Sequence, residues 1–190
     1  MYTINRRSAE LTLRTRLDVA LVGSSFGVDF NPTVDRLRIV SATGQNLRAD
    51  VTTGVTLVDG DLNYPGPPVV IATGVTAVAY TNNDADLDTA TTLYDIDTTL
   101  DQVAIQAPAN SGSLSPTGKL GVDASIDAGF DIYSAVRNGT TVSVQALAAL
   151  TVNGEARFYK IRLLTGKALP IGTFRPAKQV IDIAIPLNQD

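Results

Sequence analysis

Aspartate residues are grouped at two places in the sequence where their carboxylates could converge on a cation. Asp84, Asp86 and Asp88 alternate with other residues directly after two asparagines. Asp59 and Asp61 flank a glycine. Alternate oxygen ligands are typical of the start of a calcium loop, although the first group lacks the glycine and the distal glutamate of an EF-hand. Because Asp and Asn also form Asx-turns readily, each group is predicted to be either a calcium site or a solvated turn.

A second set of aspartates lies in apolar segments that recur along the chain. FGVDF contains Asp29, AGFDIY contains Asp131 and VIDIAI contains Asp182, while TAVAYT has Ala79 at the corresponding place. From position 29 to 79, 131 and 182 the intervals are 50, 52 and 51 residues. The three carboxylates either form a ring around a cation or polar ligand, or accept backbone N–H bonds that lock neighbouring units together. Recurrence at equivalent positions favours the lock, because binding sites are usually asymmetric.

A third set of polar residues lies on adjacent predicted strands. Its members are Arg36, Arg38, Gln45, Asn46 and Arg48, with Asp35 and Asp50 nearby. One hypothesis is an Arg–Asp network between strands, in which each exposed pair contributes about 0–1 kcal/mol. The alternative is a face that binds an anion or a sugar, because the planar guanidinium presents several donors at once.

These residues belong to a unit of four short predicted strands. FGVDF alternates as a half-buried strand does, and Asn31-Pro32 ends it because proline fixes φ and lacks an N–H. RLRIVS, NLRADV and VTLV follow, separated by turns that contain Gly44 and Gly54. Four strands joined by tight turns form an antiparallel meander, which in a propeller is one blade.

The recurrence extends over the whole chain and predicts its architecture. MYTINRRSAEL resembles FYKIRLLTGKAL, so the chain is predicted to begin at the third strand of a unit and to reach a first strand at VIDIAI. We therefore expect an all-β, β-propeller-like array of about four antiparallel blades in a single domain over residues 1–190. The N-terminal strands and the C-terminal strand would share one blade. That blade lacks a counterpart of RLRIV, and an open strand edge favours assembly.

Three long segments interrupt the predicted blades, and one further segment has features of both a helix and a strand. Residues 61–73, 82–90 and 107–121 are predicted to be long surface insertions, where binding functions are usually found. VSVQALAAL has the composition of a helix, but its position and the two preceding threonines favour a strand.

Composition excludes several classes of function. The chain of 190 residues has a net charge of −4, which argues against binding nucleic acid or an anionic membrane. It contains no Cys and no His, so thiolate and imidazole catalysis and the usual zinc sites are excluded. No apolar run is long enough to insert into a membrane. The first residues lack the apolar stretch of a signal peptide, as is also expected of a mature or trimmed form. We expect no cofactor other than a hard cation such as Ca²⁺.

The motifs FGVDFNP, DRLRIVS, GQNLRADV, AYTNN, TTLYDID, LGVD and GFDI resemble the bacterial domain of unknown function DUF4394. The resemblance covers nearly the whole chain, from Met1 to about Ile185. It implies a secreted or surface-associated protein with propeller-like repeats, and it implies no particular activity. Members usually carry further repeat material before the position of Met1, and its absence here implies assembly between chains.

Together these observations predict a non-enzymatic structural or binding module, extracellular or at the cell surface, that forms a homo-oligomer or filament through an incomplete blade. The alternative is a calcium-dependent carbohydrate-binding module that uses the aspartate-rich loops. A hydrolase acting through paired aspartates is disfavoured, because most aspartates occur in turn contexts where solvation is sufficient.

Overall fold

A computed structural model describes residues 1–84, 86, 88–176 and 179–186. Throughout these residues the regular structure is β, apart from a single 3₁₀ turn at Ala109–Ser111. The described part contains no helix that is long and apolar enough to cross a membrane. The strands are β1 (Tyr2–Ile4), β2 (Leu11–Leu13), β3 (Phe26–Asn31), β4 (Arg36–Ser41), β5 (Asn46–Ala49), β6 (Thr56–Val58), β7 (Asn63–Tyr64), β8 (Val70–Ile71), β9 (Val75–Tyr80), β10 (Leu93–Asp97), β11 (Gln102–Gln106), β12 (Leu114–Lys119), β13 (Ala128–Arg137), β14 (Thr140–Val152), β15 (Glu155–Ile161) and β16 (Ala168–Thr173).

Three sheets each consist of four consecutive antiparallel strands. The first sheet is β3-β4-β5-β6, the second is β9-β10-β11-β12 and the third is β13-β14-β15-β16. The turns Asn138-Gly139 and Asn153-Gly154 have positive φ at both residues, which is the primed geometry that matches the twist of a hairpin. The predictions of an all-β fold and of antiparallel meanders are confirmed, as is the strand assignment of VSVQALAAL within β14.

The predicted insertion at 107–121 is wrong, because it contains β12, the outer strand of the second sheet. Pro116 hides this strand in the sequence, since proline interrupts a central strand but is tolerated at a sheet edge. The predicted insertion at 61–73 contains the short pair β7–β8. The predicted insertion at 82–90 includes positions 85 and 87, which lie outside the described residues.

The hydrophobic core is divided between the contacts of these sheets. Between the second and third sheets lies a cluster that includes Ala79, Ile96, Phe130, Ile132 and Leu150. A smaller cluster, with Val40, Val78, Leu93 and Ala104, lies between the first and second sheets. The outer face of the first sheet packs against Leu17 and Val19 of the segment that leads into β3.

The first strands of the three sheets lie side by side, with β3 against β9 and β9 against β13. Glycines allow this approach: a Cβ at Gly27 would lie 2.7 Å from the Cα of Ala77, and one at Gly129 would lie 2.5 Å from the Cα of Asp182. Residues 180–186 therefore lie against β13 much as β9 lies against β3. We call residues 180–186 the C-terminal segment.

These contacts correct the predicted equivalence of the three repeating aspartates. Asp182 contacts Gly129 as Ala77 contacts Gly27, so Asp182 aligns with Ala77 rather than with Ala79. It therefore lies two residues before the position of Asp29 and Asp131. Because side chains alternate with a period of two along a strand, a slip of two residues preserves the apolar pattern and is invisible in the sequence.

The predicted sharing of one blade by the two ends of the chain is not seen among the described residues. In the part of the chain that the structure describes, strands β1 and β2 form a separate two-stranded sheet. The C-terminal segment was predicted as a strand, yet no ladder pairing is assigned to it within the described part of the chain. We refer to residues 1–17, which contain β1 and β2, as the N-terminal hairpin.

Candidate interaction surface and buried polar network

Arg38 is the centre of a buried polar network between the first and second sheets. Its side chain is 1% exposed. The guanidinium donates to Asn46 Oδ1 at 2.8 Å, to Asn110 Oδ1 at 2.9 Å and to Asp59 Oδ2 at 2.6 Å. Its Nε also donates to the hydroxyl of Tyr80 at 3.3 Å. A buried guanidinium needs such acceptors, because an unpaired charge in the interior is strongly destabilising.

Asp59 is a structural partner of two arginines. Besides Arg38, it accepts two hydrogen bonds from Arg48, from Nε at 2.7 Å and from the second terminal nitrogen at 2.9 Å. This paired geometry is the strongest arrangement for an arginine and a carboxylate. Both oxygens of Asp59 are therefore engaged with guanidinium groups, whereas Asp61, its predicted companion in a calcium site, is exposed.

The five residues predicted as a ligand-binding face do not form one exposed surface. Arg38 and Asn46 are buried, while Arg36 is exposed and lies 3.5 Å from Asp50. Gln45 bonds instead to the segment that precedes β3. Its side-chain amide donates to the carbonyl of Ala20 at 2.9 Å and accepts from the N–H of Val22 at 2.9 Å. The arrangement is the Arg–Asp network between strands, extended by residues that the sequence did not indicate.

The second sheet and the 3₁₀ turn between β11 and β12 supply those additional residues. Tyr80 and Asn110 bind Arg38, and Gln106 donates to Asn46 Oδ1 at 3.3 Å. They lie 42, 72 and 60 positions from their partners, and nothing in their local sequence marks them. In the sequence, a polar strand residue that bonds to another sheet occupies the same alternating position as one that faces solvent, so the two cannot be told apart.

Asp95 of β10 is buried in the same region, and neither of its carboxylate oxygens has a hydrogen-bond partner among the described residues. Burial raises the pKa of Asp95 well above its usual range, the nearby Arg38 opposes this rise, and Asp97 adds to it. Asp97 is itself engaged, because it accepts a hydrogen bond of 2.7 Å from the hydroxyl of Tyr64. The contact between the first and second sheets therefore contains several ionisable groups in a confined space.

The aspartate-rich loop at 84–88 is held by hydrogen bonds to backbone. Asp84 accepts from the N–H of Thr141 at 2.7 Å and from the N–H of Asp86 at 3.0 Å. Asp86 accepts in turn from the N–H of Asp88 at 3.0 Å. Burial acts to raise the pKa of Asp84, but the hydrogen bonds from Thr141 and Asp86 outweigh it and lower the pKa. Among the described residues, no group of three or more Asp, Glu, His or Cys side chains is arranged to hold a metal ion.

We call β3, β9 and β13, the first strands of the three sheets, the inner strands. Asp29 and Asp131 each connect an inner strand to the next segment beside it. Asp29 accepts from the N–H of Tyr80 on β9 at 2.6 Å, and Asp131 accepts from the N–H of Ile185 in the C-terminal segment. Asp182 bonds the N–H of the next residue, as Asp29 and Asp131 also do. The geometry is that of carboxylates joining adjacent units through backbone donors.

The three carboxylates also influence one another. Burial raises the pKa of Asp29 to about 7 even though the N–H groups of Tyr80 and Phe30 favour its ionised form, and the charges of Asp131 and Asp182 add to the rise. Burial and the charge of Asp131 raise the pKa of Asp182 to about 6. Burial raises the pKa of Asp131 as well.

The clefts on the described surface include the following two. The first has a volume of about 280 Å³ and is lined by the beginnings of the inner strands and by the C-terminal segment. We call it the acceptor cleft and define it by Phe26, Val28, Ile126, Asp127, Ile181 and Asp182. The second cleft, of about 470 Å³, lies at the end of the third sheet beside Glu155, Phe174 and Arg175.

Exposed apolar side chains occur near the first of these clefts and on the N-terminal hairpin, as well as on β6, β8 and β14. Val28 and Phe30 on the outer face of the first sheet are 41% and 45% exposed, and Ile181 is 59% exposed. On the hairpin, the exposed apolar residues are Tyr2, Ile4, Leu11 and Leu13, at 49–64%. Exposed apolar side chains that form a contiguous patch mark an interaction site.

Comparison with known proteins adds one finding. Neither the curated proteins nor the solved structures gave a match to this chain. A family described as a domain of unknown function, DUF4394, matches residues 1–184 of the 190 residues. The chain therefore belongs to the DUF4394 family.

Proposed function

We propose that the chain is a non-enzymatic module of four repeat units in a β-propeller-like arrangement, which assembles with copies of itself outside the bacterial cell. Three units are the three sheets, and the fourth contains the C-terminal segment as its inner strand. The contact of Gly129 with Asp182, which repeats the contact of Gly27 with Ala77, supports this arrangement. The extracellular location rests on the resemblance to secreted family members.

The observation that carries the proposal is the lack of a strand partner for the C-terminal segment among the described residues. The segment lies in an inner-strand position, yet no strand is paired with it among the residues described. In the three sheets the corresponding place is filled by β4, β10 and β14. Unpaired N–H and C=O groups beside exposed apolar side chains are a template for the addition of another strand. Assembly would satisfy these backbone groups.

A structural role is also supported by the way the charged residues are used. Arg38 and Arg48 both bind Asp59, and of these three side chains Arg38 and Asp59 are buried while Arg48 is partly exposed. No specific observation favours the calcium-dependent carbohydrate-binding alternative, since Asp59 is occupied by arginines and the 84–88 loop bonds to backbone. We therefore propose neither a metal nor a carbohydrate ligand.

The proposal is tested by the molar mass in solution, measured by light scattering over a range of concentrations. The chain has a mass of 20.0 kDa, and we expect the measured mass to rise with concentration to a multiple of this value. The variant Ile181→Asp, in the C-terminal segment, should shift the rise to higher concentration. Ile171→Asp serves as the control, because Ile171 is 54% exposed on β16, away from the segment. A mass of one chain at every concentration would refute self-assembly.

A further inference from the structure

We propose that the N-terminal hairpin of one copy docks in the acceptor cleft of a second copy and adds a strand to its C-terminal segment. This inference rests on the proposed self-assembly and names the two surfaces that meet. The contact joins different surfaces of the two copies, so each copy still has one free hairpin and one free cleft. Such a head-to-tail contact produces a closed ring or an open filament rather than a symmetric dimer.

The hairpin has one apolar face and one polar face, which is the pattern of a strand pair whose apolar face packs against another surface. Tyr2 pairs with Leu13 and Ile4 pairs with Leu11. Directly opposite residues of an antiparallel pair point to the same side, as do residues two apart on one strand. All four apolar side chains therefore share one face, and each is about half exposed or more. The other face carries Thr3 and Thr12.

The acceptor cleft offers a matching apolar surface and an unpaired backbone. Val28 and Ile181 present exposed apolar side chains on either side of it. Within the C-terminal segment, the N–H of Ile183 bonds to the side chain of Asp182 and the N–H of Ile185 bonds to Asp131. Both bonds go to side-chain carboxylates rather than to the backbone of a paired strand. A strand of the hairpin placed here would occupy the position that β4 has beside β3.

Charge complementarity identifies a second copy as the partner. The hairpin contains Arg6, Arg7, Arg14 and Arg16 against the single acid Glu10, a net charge of +3. Since the whole chain has a net charge of −4, the remaining residues have a net charge of −7. The acceptor cleft is lined by Asp127 and Asp182 and by no Lys or Arg among its described residues. An arginine-rich apolar hairpin and an acidic apolar cleft attract one another.

Cross-linking between two single-cysteine chains tests this contact directly, because the natural chain contains no cysteine. Thr3→Cys is placed in a chain with a tag that increases its size, and Ala184→Cys in an untagged chain. Both residues are exposed. The chains are mixed at a concentration where the mass exceeds one chain, and a short bis-maleimide reagent is added. We expect a mixed adduct, whereas Thr140→Cys in place of Ala184→Cys, at the exposed start of β14, should give only background.

The possible outcomes separate this inference from the proposal on which it rests. A larger mass in solution with no more mixed adduct than the Thr140→Cys control would overturn the hairpin–cleft contact and leave self-assembly intact. A strict monomer would overturn both. The double variant Thr3→Cys/Ala184→Cys covers a further case: a cross-link formed only within single chains would show that the hairpin closes onto its own segment, and it would overturn the contact between copies.

A charge-reversal pair tests the electrostatic part of the argument. Arg6→Glu/Arg7→Glu changes two residues in the exposed turn of the hairpin. We expect this variant to associate at least about tenfold more weakly and to lose most of the dependence on salt, since like charges would then face each other. Arg137→Glu is the control, because Arg137 is exposed at the end of β13 and lies outside both surfaces. Equal weakening in both variants would contradict the assigned contact.

Discussion

The two contacts between neighbouring sheets solve the same packing problem with different chemistry. Between the first and second sheets, Arg38, Asp59 and Tyr80 form a buried hydrogen-bonded network. Between the second and third sheets, Ile96, Phe130 and their neighbours form an apolar cluster. In both cases an inner strand lies against the next inner strand. The repeat therefore determines where the backbones of neighbouring sheets lie, while the side chains that fill the contact differ from one pair of sheets to the next.

The difference also predicts how each contact fails. An apolar contact loses stability gradually when a side chain is shortened, because the loss scales with the apolar surface and the cavity. A buried ionic network fails abruptly when one member is removed, because the remaining charge has no solvent and no partner. The contact between the first and second sheets should thus be the more sensitive to single substitutions and to pH.

The largest effect is expected from Arg38→Met. This change leaves Asp59 with only Arg48, leaves the amide oxygen of Asn110 without its donor and leaves that of Asn46 with Gln106 alone. It should therefore lower the free energy of unfolding by about 3–5 kcal/mol. Urea denaturation measures the loss. Arg36→Met is the matched control two residues away, and since Arg36 is exposed beside Asp50 it should cost about 0–1 kcal/mol. If both variants lost the same free energy of unfolding, the buried position of Arg38 would make no difference to its contribution, which would contradict this account.

A smaller effect, dependent on pH, is expected at Asp29. Its pKa of about 7 in the folded chain is above that of an unfolded aspartate, so the folded chain binds more protons between these values. The contribution of this group is therefore greatest below about pH 4 and is lost as pH rises through about 7. Allowing for partial exposure, the loss is on the order of 2 kcal/mol.

The variant Asp29→Asn isolates this contribution because an amide does not titrate. The difference in unfolding free energy between natural chain and variant should change by about 2 kcal/mol between pH 4 and pH 8, with the natural chain relatively more stable at pH 4. Urea denaturation at the two pH values provides the measurement. Ala79 occupies the corresponding place in the second sheet, so the apolar contact should contribute no such dependence. A constant difference between the two proteins would contradict the raised pKa.

The smallest effect is expected from Ile96→Val in the apolar contact. Ile96 is fully buried, and removal of one methylene group should lower the free energy of unfolding by about 0.5–1.5 kcal/mol without pH dependence. Ile171→Val on β16 is the control, because Ile171 is 54% exposed and the same change should cost less than about 0.5 kcal/mol. A loss as large as that of Arg38→Met would remove the distinction between the contacts.

Local signals in the sequence were sufficient to predict the first sheet. Asn31-Pro32 and Gly44 mark the ends of strands, and period-two alternation identifies β4. Where a local signal was ambiguous, prediction failed for identifiable reasons. Pro116 concealed β12, and the two-residue period of a strand allowed Asp182 to be aligned with Asp29 instead of with Ala77.

The buried network was predicted only in part, because its members are distant in sequence. An Arg–Asp network was predicted with Asp35 and Asp50, whereas Asp59, the acid that binds Arg38 and Arg48, was assigned to a calcium site or a solvated turn. Tyr80, Gln106 and Asn110 are brought to Arg38 and Asn46 only when the second sheet packs against the first. No alternation or turn signal encodes which faces of two sheets meet, so such contacts become visible only in three dimensions.

The central claim is that the C-terminal segment is an unpaired inner strand that a second copy completes. Amide hydrogen exchange of residues 181–185, followed with the molar mass over a range of concentrations, tests it most directly. The account predicts rapid exchange in the dilute monomer, except at the hydrogen-bonded N–H groups of Ile183 and Ile185, and protection that rises together with the mass. Protection that is complete in the monomer, or exchange that stays rapid in the assembled protein, would contradict it.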